Sequence, residues 1–252
     1  MNKQIWISAA GLAIAASLHA QPPVPEAGGY QVLAGPINIM PLNWETPLLG
    51  GHPYSAAARE VTMSPDGAHV DHATTVMVYR DDQGRTRREM EGGKDISITD
   101  PVAGVAYNLN PATKTAMKRT LAPPAIERQT RAPAQSPMEL AVAQARNRPD
   151  TAVEDLGTQM VNGVSAQGVR TTTTVPKGAV GNDRDLKTVV ERWVSTDLHV
   201  MVKSVTSRPS SGTVHYDLVN LVQSSPDAAL FQVPTGYTVQ EGGGRGGRGG
   251  AQ

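Results

Sequence analysis

The sequence predicts a mainly β protein built on a single antiparallel sheet of about ten to eleven strands. Three observations carry this prediction. From Tyr54 to Gln223 the chain runs as short Val-, Thr- and Ser-rich segments separated by turn dipeptides. Helical spacing of apolar residues occurs in one good stretch, after Ser136. No linker divides the pattern, and each half has too little apolar mass to close a core alone, so one continuous sheet is expected.

The chain has 252 residues. Residues 1–20 have the pattern of a secretory signal peptide: Lys3, an apolar run from Ile5 to Leu18, and Ala20 just before Gln21. Cleavage after Ala20 and a periplasmic or secreted product are expected. No transmembrane anchor is expected to remain, since no later stretch approaches about 18 apolar residues. Residues 21–50 read as an extended Pro/Gly-rich leader, because Pro36, Pro41 and Pro47 forbid a helix.

The domain proper is assigned to 51–240. Strands are expected over 55–63, 68–80, 85–91, 95–99, 105–109 and 114–120. The turns between them include Ser64-Pro65-Asp66-Gly67, Asp81-Asp82-Gln83-Gly84 and Gly92-Gly93. A Pro-rich insert at 121–150 interrupts the meander. Within it Ser136 and Glu139 form a capping box, Pro137 fits the first helical position, and Met138, Ala141, Val142 and Ala145 make one apolar face. This short helix reads as a lid or strap. Strands resume over 153–159, 164–175, 186–195, 199–207 and 213–223, with Asn162-Gly163 as a hairpin signal. Ser225-Pro226-Asp227 starts one helical turn, and Phe231 and Val233 end the globular part. Residues 241–252, with GGGRGGRGG, read as a disordered Gly/Arg tail.

Composition excludes several functions. Lys plus Arg and Asp plus Glu both number 23, which gives no charge for nucleic-acid binding. The absence of cysteine removes disulfides, thiolate metal sites and thiol nucleophiles. No H-E-x-x-H is present, and Ser165 lies on a hairpin outside any G-x-S-x-G elbow. Gly242, Gly244 and Gly247 match G-x-G-x-x-G, but no strand is expected before them and no helix after. His69 and Asp71 share a strand face without the further ligands a metal needs, and His199 and His215 fall on neighbouring strands. Arg85 and Arg87 share a face with Glu89, which reads as ion pairing on a solvated sheet. No catalytic residue, metal or cofactor is expected, and the chain reads as a non-enzyme.

Two groups of segments carry a resemblance. Tyr79-Arg80-Asp81-Asp82-Gln83-Gly84-Arg85-Thr86-Arg87-Arg88-Glu89 and the stretch from Ile98 to Pro111 resemble exported bacterial proteins of unassigned function. Glu191-Arg192-Trp193-Val194-Ser195, the stretch from His199 to Ser204, Tyr216-Asp217-Leu218, Leu230-Phe231-Gln232-Val233-Pro234 and Gly236-Tyr237 resemble the end of a lipoprotein-carrier (LolA-like) domain. The resemblance covers residues 54–240. It implies a curved open half-barrel with the short helix packed across the concave face. In the carriers that concavity holds acyl chains, and related domains sense mislocalised envelope lipoproteins. This implies a carrier or binding module for a lipid-like or lipidated ligand. The alternative is an envelope interaction or sensor protein that binds another protein through its sheet. Tyr79, Tyr107, Met138, Val142, Trp193 and Tyr216 are the candidate ligand-binding residues, and Trp193 is also expected to fill core space. Here the strands are rich in Thr, Ser and Ala where the carriers have large apolar residues.

Overall fold

The computed structural model describes residues 50–90, 92–121, 143, 148 and 150–242. They form one twelve-stranded sheet. Its strands are β1 (Tyr54–Met63), β2 (Val70–Arg80), β3 (Thr86–Met90), β4 (Ile96–Asp100), β5 (Val105–Asn110) and β6 (Thr115–Thr120). The second series is β7 (Thr151–Val161), β8 (Val164–Val175), β9 (Leu186–Ser195), β10 (Met201–Arg208), β11 (Gly212–Val222) and β12 (Thr238–Glu241). The spatial order is β12-β6-β5-β4-β3-β2-β1-β11-β10-β9-β8-β7, so the sheet is open with β12 and β7 at its edges. Two local meanders, β1–β6 and β7–β11, meet where the first strand pairs with the eleventh.

Every pairing is antiparallel except β12 with β6, which is parallel from Thr238 opposite Thr115 to Glu241 opposite Lys118. Register shifts interrupt the ladders at Ser55/Ala57, Thr62/Met63, Asp155/Gly157 and Met201/Lys203. Such bulges bend a strand and increase its twist, so a broad sheet can curve. Small side chains help at the centre, where Ala56 and Ala58 of β1 are buried between the strands on either side.

Strand alternation gives the sheet two faces. Ala58 stands opposite Val76 and Leu218, and Glu60 opposite Thr74 and Tyr216, so these residues share one face, called here the Tyr216 face. Arg59 stands opposite Asp217, Asp217 opposite Lys203, and Lys203 opposite Trp193, which defines the Trp193 face. The larger core cluster joins Tyr54, Ala56, Ala58, Val76, Val78, Tyr216 and Leu218 to Trp193, Val164 and the β9–β10 turn residues Leu198 and Val200. A smaller cluster, Ile96, Ile98, Leu109 and Ala116, lies on the Trp193 face of β4–β6 under Tyr107, Val233 and Tyr237. The segment between β11 and β12 covers it. Asp227 caps a 3-10 turn over Ala228–Phe231, Phe231 is buried, and Arg87 donates to the Leu230 carbonyl at 3.1 Å.

The expected fold needs two corrections. The strand count is twelve, above the expected ten to eleven: Thr238–Glu241 adds a strand where the globular part was expected to have ended at Val233. Its strand character comes from pairing with β6, a contact with no local signature. A strand therefore precedes Gly242, contrary to expectation, although the residues after Gly242 lie outside those described. The helix across the concave face is not supported. Met138, Val142 and the rest of its apolar stripe lie outside the described residues, and only Ala143 is described there, helical and exposed. The signal peptide, the leader and the tail beyond Gly242 also lie outside them. Among the described residues no helix is long and apolar enough to cross a membrane.

Candidate ligand face

The candidate residues divide between the two faces. Tyr79 stands opposite Ser55 and Arg87 on the Trp193 face, where it is half-buried. Tyr107 stands opposite Ile98 on that face and packs against the smaller core cluster. Trp193 is 4% exposed. Its ring fills the position where a Cβ on Gly168, directly opposite on β8, would sit. Its indole Nε1–H donates to Glu191 Oε1 at 2.8 Å. These contacts make Trp193 a structural residue. Tyr216 alone among the described candidates stands on the other face. Met138 and Val142 lie outside the described residues, and among the four described candidates Tyr216 is separated from Tyr79, Tyr107 and Trp193 by the sheet.

The Tyr216 face has an apolar middle and a polar flank. Across β2, β1 and β11 it carries Val76, Val78, Ala56, Ala58 and Leu218, all buried in the larger core cluster. Continuing outwards, Tyr216 stands opposite Ser204 of β10, and Ser204 opposite Arg192 of β9. One step along, Val214 stands opposite Thr206, Thr206 opposite Val190, and Val190 opposite Thr171. Hydroxyls and a guanidinium thus border the apolar strip. Glu60 lies between strip and flank, and burial pushes its carboxyl up while His72 pulls it down by a smaller amount. Burial also lowers the pKa of the Arg192 guanidinium. At the β2–β5 end of this face a cleft of about 210 Å³ is lined by Val76, Arg88, Met90, Asp95, Ser97 and Asn108 among others. Closed pockets for drug-sized ligands run from about 300 Å³ upwards, so this is a small open notch of mixed polarity.

The charges singled out in the sequence are mostly paired. Asp81 accepts from Arg85 Nε at 2.6 Å, Arg87 contacts Glu89 at 3.0 Å, and His69 contacts Asp71 at 3.2 Å with both side chains exposed. On the Trp193 face Arg170 bridges Glu154 at 2.7 Å and Glu191 at 3.0 Å. Burial pushes the Glu191 carboxyl up, but the Trp193 N–H and Arg170, with Lys203 adding, outweigh it and hold the group below its ordinary value. No group of three or more His, Cys, Asp or Glu able to hold a metal occurs among the described residues.

Two features escaped the sequence reading. Arg80 is fully buried; its Nε donates to the His52 carbonyl at 2.8 Å, its Nη2 to the Leu198 carbonyl at 2.8 Å, and its guanidinium lies 4.9 Å from the Tyr54 ring centre. It ties the chain before β1 to the β9–β10 turn. Beside it His199 meets His52 edge-on with ring centres 5.3 Å apart, so the expected neighbour, His215, is replaced by a different histidine. The signal was the turn: His199 has φ +55° and precedes the strand in which it was placed.

No family model matches the chain, and no curated protein matches it. Several solved structures are similar to it. An uncharacterized conserved protein from Thermus thermophilus is 11% identical, with TM-score 0.41, over 75% of this chain and 90% of that one. MucB of Pseudomonas aeruginosa in complex with MucA is 13% identical, with TM-score 0.42, over 76% of this chain and 59% of that one. A LolA superfamily protein from Nitrosomonas europaea is 8% identical, with TM-score 0.31, over 76% of this chain and 95% of that one.

Proposed function

We propose that this chain is a non-enzymatic envelope binding module that holds a lipid-like or lipidated ligand along the Tyr216 face. The observation that carries this reading is the composition of that face. An apolar strip through Val76, Ala58 and Leu218 runs beside a flank of Tyr216, Ser204, Thr206 and Arg192. The strip is buried in the larger core, so the apolar part of a ligand would enter by displacing what covers it, with the polar border meeting the ligand's head. Tyr216 stands where the two meet, with its ring in the apolar cluster.

Native mass spectrometry of the chain purified from its own envelope fraction tests the reading. A bound mass in the lipid range, lost on detergent washing, is the expected result. A second reading, protein binding through the sheet, is favoured by β7. Among the described residues this edge strand is paired only through β8, and Met160 on it is 69% exposed. Unpaired strand edges accept extended peptides. A co-purifying polypeptide with no lipid mass would select that reading.

A further inference from the structure

We infer that the β9–β10 flank of the Tyr216 face is an anion site in which Arg192 and Arg208 receive a phosphate-bearing headgroup. The inference rests on the ligand reading of this face and adds the chemistry of the ligand's head.

Register puts both arginines on one face. Arg192 stands opposite Ser204, and Arg208 lies four residues beyond Ser204 on β10, with Thr206 between them on the same side. Among the described residues neither arginine has an ion pair, whereas Arg85, Arg87 and Arg170 all do. The Nε of Arg208 is buried and has no hydrogen-bond partner, and it is the sole such side-chain atom among the described residues. A buried donor without an acceptor is disfavoured, and so is a half-buried guanidinium without a counter-charge. A fold carries two such groups along one flank when something else supplies the acceptors, and arginine is the side chain best suited to phosphate oxygens.

The spacing narrows the class. Adjacent strands lie about 4.8 Å apart and residues rise about 3.3 Å along each, so the two Cα positions are about 14 Å apart. A single small anion would need both arms to lean fully inwards. Ser204 and Thr206 stand between them, with Val190 and Thr188 along β9. A phosphate joined to a hydroxylated group, such as a phosphoglycerol or a sugar phosphate, fills such a row. Nearby acidic groups do not neutralise it. Asp155, opposite Val169 two strands from Arg192, accepts from its own Gly157 N–H, and Glu60 is three strands away beyond Tyr216. An apolar strip with this head beside it fits an anionic phospholipid or a lipid-linked sugar phosphate.

Equilibrium binding of the full chain to three probes tests this: phosphatidylglycerol vesicles, phosphatidylcholine vesicles and glycerol phosphate in free solution. Phosphatidylglycerol should bind at least tenfold more tightly than phosphatidylcholine. Arg192→Gln and Arg208→Gln should each weaken that binding at least tenfold, while leaving phosphatidylcholine unchanged. A second measurement separates a site residue from a structural one. Without ligand, Arg208→Met should melt at or above the wild-type temperature, because it removes a buried donor that nothing satisfies. If glycerol phosphate binds in an arginine-dependent manner and vesicles do not, the anion site stands and the lipid reading falls. If both vesicles bind alike and the arginine variants bind normally, the lipid reading stands and the anion site is overturned. Arginine variants that melt well below wild type with unchanged binding also overturn it.

Discussion

Gly168 has no side chain because the Trp193 ring lies where its Cβ would be. The pair is a knob and a slot on adjacent strands: the indole covers the bare backbone of β8, and its N–H anchors on Glu191. Gly168→Ala should therefore destabilise by about 1–3 kcal/mol through overpacking. Trp193→Ala should cost about 3–5 kcal/mol as a buried aromatic deletion. Because both changes act on one contact, the double variant should cost less than their sum, as urea denaturation of the three variants would show. His199 makes a second prediction at this scale. Burial lowers its pKa, the nearby His52 and Arg80 lower it further, and Asp197 opposes them. A depressed histidine pKa means that the unfolded chain binds a proton more readily. The stability from neutral His199 is then fully present above about pH 6.5 and is lost as pH falls through the folded value. His199→Asn keeps a residue that tolerates positive φ and should flatten the dependence of melting temperature on pH just below 6.5. An unchanged slope would place the titration elsewhere. Trp193 was legible as structural in the sequence, since few other aromatics could fill the space. Arg192, its neighbour, was not legible as a site residue. Adjacent strand residues point to opposite faces, and which face is which depends on a partner strand distant in sequence.

Strands that carry their own turn chemistry were legible, and those defined by a distant partner were not. β8 and β9 have the expected bounds. Asn162 and Gly163 both adopt positive φ, +50° and +86°, which pins the β7–β8 hairpin, and an alternating pattern continues from there. Gly212 at φ +79° similarly fixes the turn into β11, where a Cβ would collide with the Met63 carbonyl of β1. β12 has no comparable signal. Thr238–Glu241 becomes a strand because the 3-10 turn and Phe231 deliver it to the free edge of β6, where Lys118 contacts Glu241 at 3.0 Å. Phe231 is thus the lock of the element: it is 4% exposed, and the Arg85 guanidinium lies 5.4 Å from its ring centre. Phe231→Ala should cost about 3–5 kcal/mol and release the cover from Ile96 and Ile98. Amide exchange at Val239 and Ile98 should accelerate together while Trp193 is unaffected. Acceleration at Val239 alone would mean that β12 is held by its ladder and not by the segment before it.

At the scale of the whole sheet, the question is whether the two meanders fold as one. Among the described residues the β1–β11 ladder is their sole strand pairing, running from Ser55 opposite Val222 to Met63 opposite Thr213. Each meander is local in sequence and could open independently if the seam were merely a ladder. The packing argues otherwise. The larger core takes Tyr54, Val76 and Val78 from one meander and Val164, Trp193 and Leu218 from the other. Arg80 of β2 reaches across to the Leu198 carbonyl in the β9–β10 turn. Burial shared in this way makes the loss of either meander expose the other's core, which is the condition for one cooperative unit. The smaller Ile98 cluster is built from β4–β6 and the C-terminal segment, and the β2–β3 ladder lies between it and the seam. Leu218→Ala, at a site 1% exposed, should destabilise by about 2–5 kcal/mol in a single step. Native-state hydrogen exchange should show the opening free energies of Val78 and Val169 falling by the same amount, with Ile98 falling less. A fall at Val169 with Val78 unmoved would show that the seam joins two independent sheets. The Tyr216 face, which needs β1 and β11 together, would then exist only while both halves stay closed.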